Sequence, residues 1–401
     1  MNKPTLFGYG LTTKAIAKKL GGGCTFFDDK AKEPYTDEEN NHIFPSHLFD
    51  PNQSQLEVTT PSFPPSHPLV KSAKNLMSEY DFFAKEMPFT VWISGTNGKT
   101  TTTQMLGHLL KKRGGVTGGN IGTPLAELDK KAPIWILESS SFTLHHTNIA
   151  SPNIYLLLPI TPDHLDWHGT PEQYEADKLK PLLTMKEGEM ALIPKGLNLP
   201  QTNAFVVEYD SAEFIANYFN IESSKIRFKS AFLEDALLAL AVTKTLFDEL
   251  DYDTINGFTL DNHRQEETTD KQGRLWVNDS KATNLDATIQ AVKGYDDKFI
   301  RLIIGGNDKG ADLTPLFELL KDKEVQLYTI GANSEKLARL ANQHQVNFTA
   351  CETLESAVSI IAKERTPNDV ALLSPAAASF DQFNSYKHRG EEFFKFIKNI
   401  Q

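Results

Sequence analysis

The most informative segment of the chain is Ser94-Gly95-Thr96-Asn97-Gly98-Lys99-Thr100-Thr101. It follows the apolar stretch Thr90–Ile93, which has the composition of a buried strand, and it precedes a helical stretch with leucines on one face. Glycines in such a loop let backbone N–H groups converge on phosphate oxygens, and the start of the helix adds a positive dipole. Strand, glycine loop and helix in this order predict a phosphate-binding loop in an α/β domain.

Two side chains of this loop have expected roles beyond the backbone. Lys99 is expected to neutralise the β- and γ-phosphates of a nucleotide, and the Thr100 hydroxyl to ligate Mg²⁺. The other residues of this loop that are predicted to contact the nucleotide are Gly95, Thr96, Asn97, Gly98 and Thr101. The spacing G-x-x-G-K-T is shorter than the general phosphate loop G-x-x-x-x-G-K-[ST], and this compact form resembles the Mur ligase and folylpolyglutamate synthetase superfamily. The alternative is a glycine-rich turn capped by threonines.

Strand-like and helical stretches alternate on both sides of this loop, which predicts α/β layers with mostly parallel sheets. We expect three domains: a Rossmann-like N-terminal domain over 1–88, a central P-loop ATPase-like domain over 89–260, and a Rossmann-like C-terminal domain over 261–401. The 401 residues suit this division, because one domain usually takes ~100–200.

The composition narrows the functional classes. A formal net charge of −11 argues against a nonspecific nucleic-acid surface, and 40% hydrophobic residues argue against a disordered chain. The two cysteines, Cys24 and Cys351, form no CxxC pair, which favours a reducing compartment. No signal peptide and no run of ~18 apolar residues is visible, so we expect a cytoplasmic protein without membrane spans.

Metal-ligating candidates follow two further predicted strands. Glu138 ends the apolar stretch 134–137, and a carboxylate there is costly to bury unless it meets a cation such as Mg²⁺. His164 lies in the loop 158–166, which resembles the superfamily's N-x-[ST]-x-D-H-[LM]-D loop, so the resemblance implies a metal-ligating histidine. Pro159 stands where the family has asparagine. Taken alone, Glu138 would be an ordinary acid at the end of a strand, and the loop of His164 would be a hydrogen-bonded turn.

Lys178 lies in Tyr174–Leu179, a segment that resembles the one in which this superfamily carries a carbamylated lysine. The resemblance implies N6-carboxylysine at Lys178, which would turn an ammonium group into an anionic oxygen ligand for Mg²⁺. The alternative is a lysine on a solvated helix face.

The C-terminal segment carries the most specific string of the chain. Val277-Asn278-Asp279-Ser280-Lys281-Ala282-Thr283-Asn284 matches the signature of the D-glutamate-adding branch of the Mur ligase family. The resemblance places Asp279 at the nucleotide, Lys281 near the transferred phosphate and Thr283 at the incoming amino acid. Arg264 belongs to a His-Arg pair that resembles the family's interdomain pair, and its guanidinium is expected at the γ-phosphate.

Further strings imply contacts with the substrates. Lys309 is expected to bind the side-chain carboxylate of the amino acid, and Ser379 its α-carboxylate, with Tyr386 nearby where the family usually has phenylalanine. Asn120 fits the family's G-N-I-G substrate loop. Thr60 begins the loop expected at the uridine diphosphate, where Thr60-Pro61-Ser62 replaces the usual S-P-G. The helix start that touches adenine in the family is altered over 231–237.

Together the resemblance implies an ATP-dependent ligase with two Mg²⁺ ions. It would join D-glutamate to UDP-N-acetylmuramoyl-L-alanine through an acyl phosphate, with catalytic roles for Lys99, His164, Lys178, Arg264 and Lys281. We expect a monomer whose partners are these small molecules. The alternatives are a sister ligase or folylpolyglutamate synthetase, a non-catalytic nucleotide-binding scaffold and, more distantly, a Rossmann oxidoreductase.

Overall fold

The computed structural model describes residues 3–400, and within them the chain forms three six-stranded sheets. The first sheet has the order β3-β4-β2-β1-β5-β6 and is parallel except where β3 meets β4. Its strands are β1 (Thr5–Phe7), β2 (Thr25–Asp28), β3 (Tyr35–Thr36), β4 (His42–Pro45), β5 (Glu57–Thr59) and β6 (Leu76–Met77). Its helices are α1 (Leu11–Lys19), α2 (Pro68–Ser72) and α3 (Glu79–Phe83).

The central sheet is parallel throughout, in the order β12-β11-β10-β7-β9-β8. Its strands are β7 (Phe89–Ser94), β8 (Gly115–Gly119), β9 (Ile134–Glu138), β10 (Ile154–Leu157), β11 (Met190–Pro194) and β12 (Phe205–Tyr209). The helices of this region are α4 (Lys99–Leu110), α5 (Ser141–His145), α6 (Leu165–His168), α7 (Pro171–Leu179), α8 (Ala212–Tyr218), α9 (Ser230–Phe247) and α10 (Tyr252–Gly257).

The third sheet has the order β13-β14-β18-β15-β16-β17 and is parallel except where β13 meets β14. Its strands are β13 (Glu266–Thr269), β14 (Leu275–Asn278), β15 (Ile300–Gly305), β16 (Val325–Ile330), β17 (Phe348–Glu352) and β18 (Val370–Leu373). Its helices are α11 (Leu285–Lys293), α12 (Thr314–Leu320), α13 (Ser334–His344), α14 (Leu354–Glu364) and α15 (Tyr386–Lys398). Short 3₁₀ helices lie at Ser46–Leu48, Lys111–Arg113, Leu125–Glu127, Lys180–Leu183 and Ser223–Lys225.

The central strands are apolar on both faces, as parallel strands covered by helices must be. All five residues of β9 are buried, and so are Val91, Trp92 and Ile93 of β7. These buried strands end at the C-terminal edge of the sheet, where the phosphate loop follows β7 and Glu138 is the last residue of β9. Ligands of open parallel α/β sheets bind at that edge.

The predicted α/β class with mostly parallel sheets is confirmed, and the structure shows three sheets. The chain divides into two compact units: the N-terminal unit runs to Phe228 and includes Phe232–Phe258, and the C-terminal unit comprises Lys229–Ala231 and the chain from Thr259 onward. The N-terminal unit contains the first and central sheets, so the domain boundaries at 88 and 260 stay a prediction. Among residues 3–400, no helix has both the length and the apolar composition that crossing a bilayer requires.

Candidate active site

The phosphate loop adopts a conformation that only glycine allows at two of its positions. Gly95 has φ 143° and Gly98 has φ 81°. A Cβ atom on Gly95 would lie 2.5 Å from Cβ of Leu158, and one on Gly98 would lie 2.6 Å from Oδ1 of Asp235. Because both positions combine positive φ with close packing, any side chain there would displace the loop. Gly98 is also the N-cap of α4, which places the helix N-terminus at the loop.

Lys99 begins α4, and its amine turns back into the loop. Its Nζ donates to the carbonyl oxygens of Gly95, at 2.8 Å, and Thr96, at 2.7 Å. The Thr96 hydroxyl donates to the carbonyl of Thr161 at 2.9 Å and lies 3.0 Å from the hydroxyl of Tyr174. The phosphate loop is therefore tied to the loop that leads to His164 and to the helix that carries Lys178.

Glu138 is 3% exposed at the end of β9. Its Oε1 accepts from Nδ2 of Asn120 at 2.8 Å, which brings together a predicted metal ligand and a predicted substrate contact. Among the described residues, Oε2 of Glu138 has no hydrogen-bond partner. A buried carboxylate oxygen without a partner is costly, and a cation would remove that cost.

His164 is the exposed member of the set. It has φ 53°, directly before α6, and its Nε2 lies 3.5 Å from a carboxylate oxygen of Asp163. Burial of part of the ring lowers its pKa, Asp163 works against this shift, and Lys99 adds to it. The imidazole is consequently neutral near neutral pH, the form in which a nitrogen binds metal.

Lys178 is 1% exposed, which excludes the alternative of a solvated helix face. Its Nζ donates to the Gly95 carbonyl at 2.7 Å and to the Ser94 hydroxyl at 3.4 Å. Burial lowers its pKa well below the usual value, and the positive charge of Lys99 lowers it further. A buried lysine with a depressed pKa is partly the neutral, nucleophilic amine.

The predicted metal ligands fit Mg²⁺ by donor type. Thr100, Glu138 and a carboxylated Lys178 would supply oxygens, and His164 a nitrogen. No three His, Cys, Asp or Glu residues within 3–400 converge as a metal-binding group. Mg²⁺ does not require such a group, because it keeps several waters and takes phosphate oxygens with one or two carboxylates.

Thr60, the predicted contact for the uridine diphosphate, directly follows β5 of the first sheet and is buried. Its hydroxyl is 2.5 Å from that of Ser62, and both Thr60 and Phe63 pack against Gly8, which has φ 86°. The loop after β5 therefore contacts the glycine turn after β1. Its neighbour Phe63 accepts at its carbonyl from Nε2 of His146, at 3.2 Å, so the first sheet is bonded to the central region here.

In the C-terminal unit, Asp279 follows β14 and is buried. Its Oδ2 accepts from the Ser374 hydroxyl at 2.9 Å and its Oδ1 from the Gln265 amide at 3.2 Å. Burial raises its pKa to about 7, against the lowering by these hydrogen bonds and by the charge of Arg264. Arg264 itself is half-buried, with Nε 4.0 Å from Asp261.

Lys281 and Tyr386 contact each other, as two predicted site residues. Nζ of Lys281 lies 4.2 Å from the ring centroid of Tyr386, a distance typical of cation–π contacts. Thr283 is exposed in the same loop, and Lys309 is exposed with φ 52° in the loop after β15. Ser379 is 2% exposed.

The loops that carry Lys309 and Ser379 are joined by backbone hydrogen bonds. Asn307 and Ala378 exchange two of them, each 2.9 Å. Gly306, with φ 138°, permits this approach, because a Cβ atom there would lie 2.4 Å from the Ala378 carbonyl. The two residues predicted to bind the carboxylates of the amino acid thus belong to neighbouring loops.

Three side chains of structural importance were missed as site residues. Arg389 is 1% exposed and donates to the Ser280 hydroxyl and carbonyl and to the Ala377 carbonyl, at 2.8–3.1 Å. It therefore joins the string 277–284 to the loop after β18, which also carries Ser379. Tyr174 contacts the phosphate loop, and Asp177 is buried beside Lys178. Asp177 and Arg389 could have been suspected only as charged residues next to predicted site strings.

Comparisons with known proteins identify the fold and the family of the chain. Residues 93–235 match the Mur ligase middle domain, and residues 263–377 match the Mur ligase, glutamate ligase domain. Among solved structures, a MurF ligase from Thermotoga maritima in complex with ADP has a TM-score of 0.59 at 16% identity, covering 94% of each chain. FolC from E. coli in complex with DHPP and ADP has a TM-score of 0.53 at 16% identity, covering 80% of this chain and 93% of FolC. These similarities define the class: a three-sheet α/β protein with the Mur ligase fold.

Sequence relatives narrow the class. A UDP-N-acetylmuramoylalanine--D-glutamate ligase from Campylobacter jejuni subsp. jejuni serotype O:23/36 (strain 81-176) is 50% identical over 401 residues, 99% of this chain and 100% of the relative. A protein of the same name from Helicobacter pylori (strain HPAG1) is 46% identical over 418 residues, 98% of this chain and 99% of the relative. The chain belongs to the Mur ligase family, in the branch of the UDP-N-acetylmuramoylalanine--D-glutamate ligases.

Proposed function

We propose that this chain joins D-glutamate to UDP-N-acetylmuramoyl-L-alanine with hydrolysis of ATP to ADP and phosphate. The observation that carries the proposal is the convergence of Lys99 and Lys178 on the carbonyl of Gly95 in the phosphate loop, with Glu138 buried at the neighbouring strand end. The choice of substrates is supported by sequence identities of 50% and 46%, over nearly the whole chain, to two UDP-N-acetylmuramoylalanine--D-glutamate ligases.

In the first step, an oxygen of the alanyl carboxylate attacks the γ-phosphorus, and the bond to the ADP oxygen breaks. Carboxylate and ATP repel each other, so the residues near them act by positioning and by neutralising charge. Lys99 faces the phosphate loop, and Arg264 and Lys281 of the C-terminal unit would add further positive charge at the γ-phosphate. Mg²⁺ held by Thr100, Glu138, His164 and Lys178 would supply charge stabilisation on the phosphate oxygens.

In the second step, the amine of D-glutamate attacks the carbonyl carbon of the acyl phosphate. A tetrahedral intermediate forms, the C–O bond to the phosphate group breaks with its electron pair kept by the departing inorganic phosphate, and the amine nitrogen loses a proton. Lys309 and Ser379 would hold the two carboxylates of D-glutamate, with Thr283 and Tyr386 beside them. Lys309 and Ser379 lie on loops joined through Asn307 and Ala378, which supports a common site.

Carbamylation of Lys178 is part of the proposal. Its depressed pKa favours the neutral amine, which can add to CO₂ to form an N–C bond and release a proton. The product would retain one N–H, so it can still donate to the Gly95 carbonyl, now 2.7 Å from Nζ. The carbamate oxygens would then be available as metal ligands.

The UDP-sugar would bind along the first sheet, at Thr60, and extend to Asn120 at Glu138. The hydrogen bond from Asn120 to Glu138 supports this path, because it connects the substrate loop with the proposed metal ligand. The proposal also includes a monomeric enzyme in the cytoplasm; both cysteines are free and buried, which suits a reducing compartment.

Incubation of the protein with ATP, Mg²⁺, UDP-N-acetylmuramoyl-L-alanine and each glutamate enantiomer tests the reaction by mass spectrometry. We expect one amide product, with D-glutamate alone, and ADP release that requires both substrates. Product with another amino acid in a panel would indicate a sister ligase. ADP release at the same rate without amino acid would contradict the ligase reaction.

A further inference from the structure

A buried carboxylate next to Lys178 makes contacts that the reaction does not use. The side chain of Asp177 is 4% exposed. Its two oxygens lie 2.9 Å from Nδ1 of His145, and Oδ2 lies 2.7 Å from Nδ1 of His168. Both rings contact the carboxylate through Nδ1, so Asp177 joins two histidines that lie on different helices, α5 and α6.

The hydrogen bonds continue beyond His168. Nε2 of His168 lies 3.0 Å from the Ser141 hydroxyl, and in the tautomer whose Nδ1 donates to Asp177 this nitrogen accepts from that hydroxyl. The side chain of His168 is fully buried. Ser141, His168 and Asp177 thus form a continuous chain of hydrogen bonds inside the N-terminal unit.

These contacts join three short segments that each carry one proposed metal ligand. His145 and Ser141 belong to α5, which follows Glu138. His168 ends α6, which follows His164, and Asp177 immediately precedes Lys178 on α7. Successive residues of an α-helix differ in direction by about 100°, so holding Asp177 also holds the direction of Lys178. One carboxylate therefore restrains the relative placement of all three ligand-bearing segments.

The ring packing extends the same restraint to His164. Phe142 of α5 lies 4.8 Å from the His164 ring and 5.4 Å from the His168 ring, where the two planes are nearly parallel at 13°. The exposed His164 ring thus packs against Phe142, which itself packs against the buried His168.

We propose that Asp177, with His145 and His168, is a positioning residue that fixes Glu138, His164 and Lys178 in the geometry needed for a divalent cation. This inference rests on the proposed assignment of those three residues as metal ligands. Residues that orient metal ligands typically change metal affinity by about 10–100-fold when mutated. The network can therefore be detected by cation binding, separately from product formation.

The test uses the full-length protein with a non-hydrolysable ATP analogue and Mn²⁺ as the probe, with free Mn²⁺ followed by electron paramagnetic resonance. We expect Asp177→Asn to weaken Mn²⁺ binding about 10–100-fold relative to the unmodified protein. His168→Gln is expected to act in the same direction. If Asp177→Asn does not fold, His145→Gln replaces it, because the His145 side chain is 23% exposed and its loss disturbs the core less.

The matched control is Asp81→Asn, another buried carboxylate of the same unit. Asp81 accepts from the amides of Asn148, Ile149 and Ala150 at 2.7–2.8 Å, so its loss lowers stability without touching the proposed ligands. Unchanged Mn²⁺ affinity in Asp81→Asn, together with a loss in Asp177→Asn, supports positioning. Equal losses in both, wild-type affinity in Asp177→Asn, or no protein-dependent Mn²⁺ binding at all would overturn it. The amide-forming reaction is tested separately by product mass, so the two failures are distinguishable.

Discussion

The central region and the C-terminal unit hold their lysine and arginine side chains in different ways. In the central region, Lys99 and Lys178 both donate to the Gly95 carbonyl, and Lys178 is almost fully buried. In the C-terminal unit, Lys281 rests on the Tyr386 ring and Lys309 is exposed, whereas the buried cation, Arg389, is occupied by main-chain and serine oxygens.

This difference distinguishes side chains that we expect to act on the reaction from a side chain that we expect to stabilise the loops. Electrostatic interactions are stronger where water is excluded, so the partly buried Lys99 amine in the phosphate loop should have a large effect on the rate. A buried cation that is saturated by backbone acceptors should act on loop shape and stability instead. Three variants, Lys99→Ala, Arg389→Leu and Asp279→Asn, test this difference.

Lys99→Ala should cause the largest loss. The amine is the charged group of the phosphate loop, and removing a preorganised donor to the developing charge typically costs about 10²–10³-fold in rate. The measurement is the initial rate of ADP formation with both substrates present. Lys195→Ala, an exposed lysine after β11 in the same unit, is the control and should be as active as the unmodified protein. If Lys99→Ala formed product at the rate of the unmodified protein, the expected role of Lys99 in the reaction would be contradicted.

Arg389→Leu should act mainly on stability. Leucine has similar bulk but leaves the carbonyls of Ser280 and Ala377 without their donor, and a buried unsatisfied group costs about 1–3 kcal/mol. We expect the free energy of unfolding of the C-terminal unit to fall by this amount in urea denaturation, with faster hydrogen exchange over 277–284 and 374–383. Arg339→Leu, at an exposed position of α13, is the control. An unchanged exchange pattern in Arg389→Leu would argue against a scaffolding role.

Asp279→Asn should alter the pH dependence of stability. The folded carboxyl has a pKa raised to about 7 from 3.8, so its contribution is fully present below pH 3.8 and is lost as the pH rises through 7. One such group gives a slope of at most about 1.4 kcal/mol per pH unit in between. The variant should therefore lose less stability than the unmodified protein between pH 5 and pH 7, measured by urea denaturation. An identical slope in both would show that Asp279 is not the group responsible.

Much of the site was predictable because its residues stand in local strings. The phosphate loop needs Gly95 and Gly98 for its backbone angles, and strands β7, β9 and β14 carry their polar residues to their C-terminal ends. Such features depend on neighbours in the chain, so periodicity and motif spacing reveal them. The burial of Lys178 was not predictable in this way, because a lysine on a polar helix is exposed by default.

The α/β class, the phosphate loop and the strings that mark the family can be predicted from the amino-acid sequence, since each is encoded by residues adjacent in the chain. The contacts of Asp177 with His145, 32 residues away, and of Arg389 with Ser280, 109 residues away, arise only when the chain folds. Buried charges need partners, and which partner is reached depends on how helices pack over the sheets rather than on spacing. The packing of helices over the sheets also buries Lys178, which lowers its pKa, and Glu138, whose Oε2 has no hydrogen-bond partner among residues 3–400.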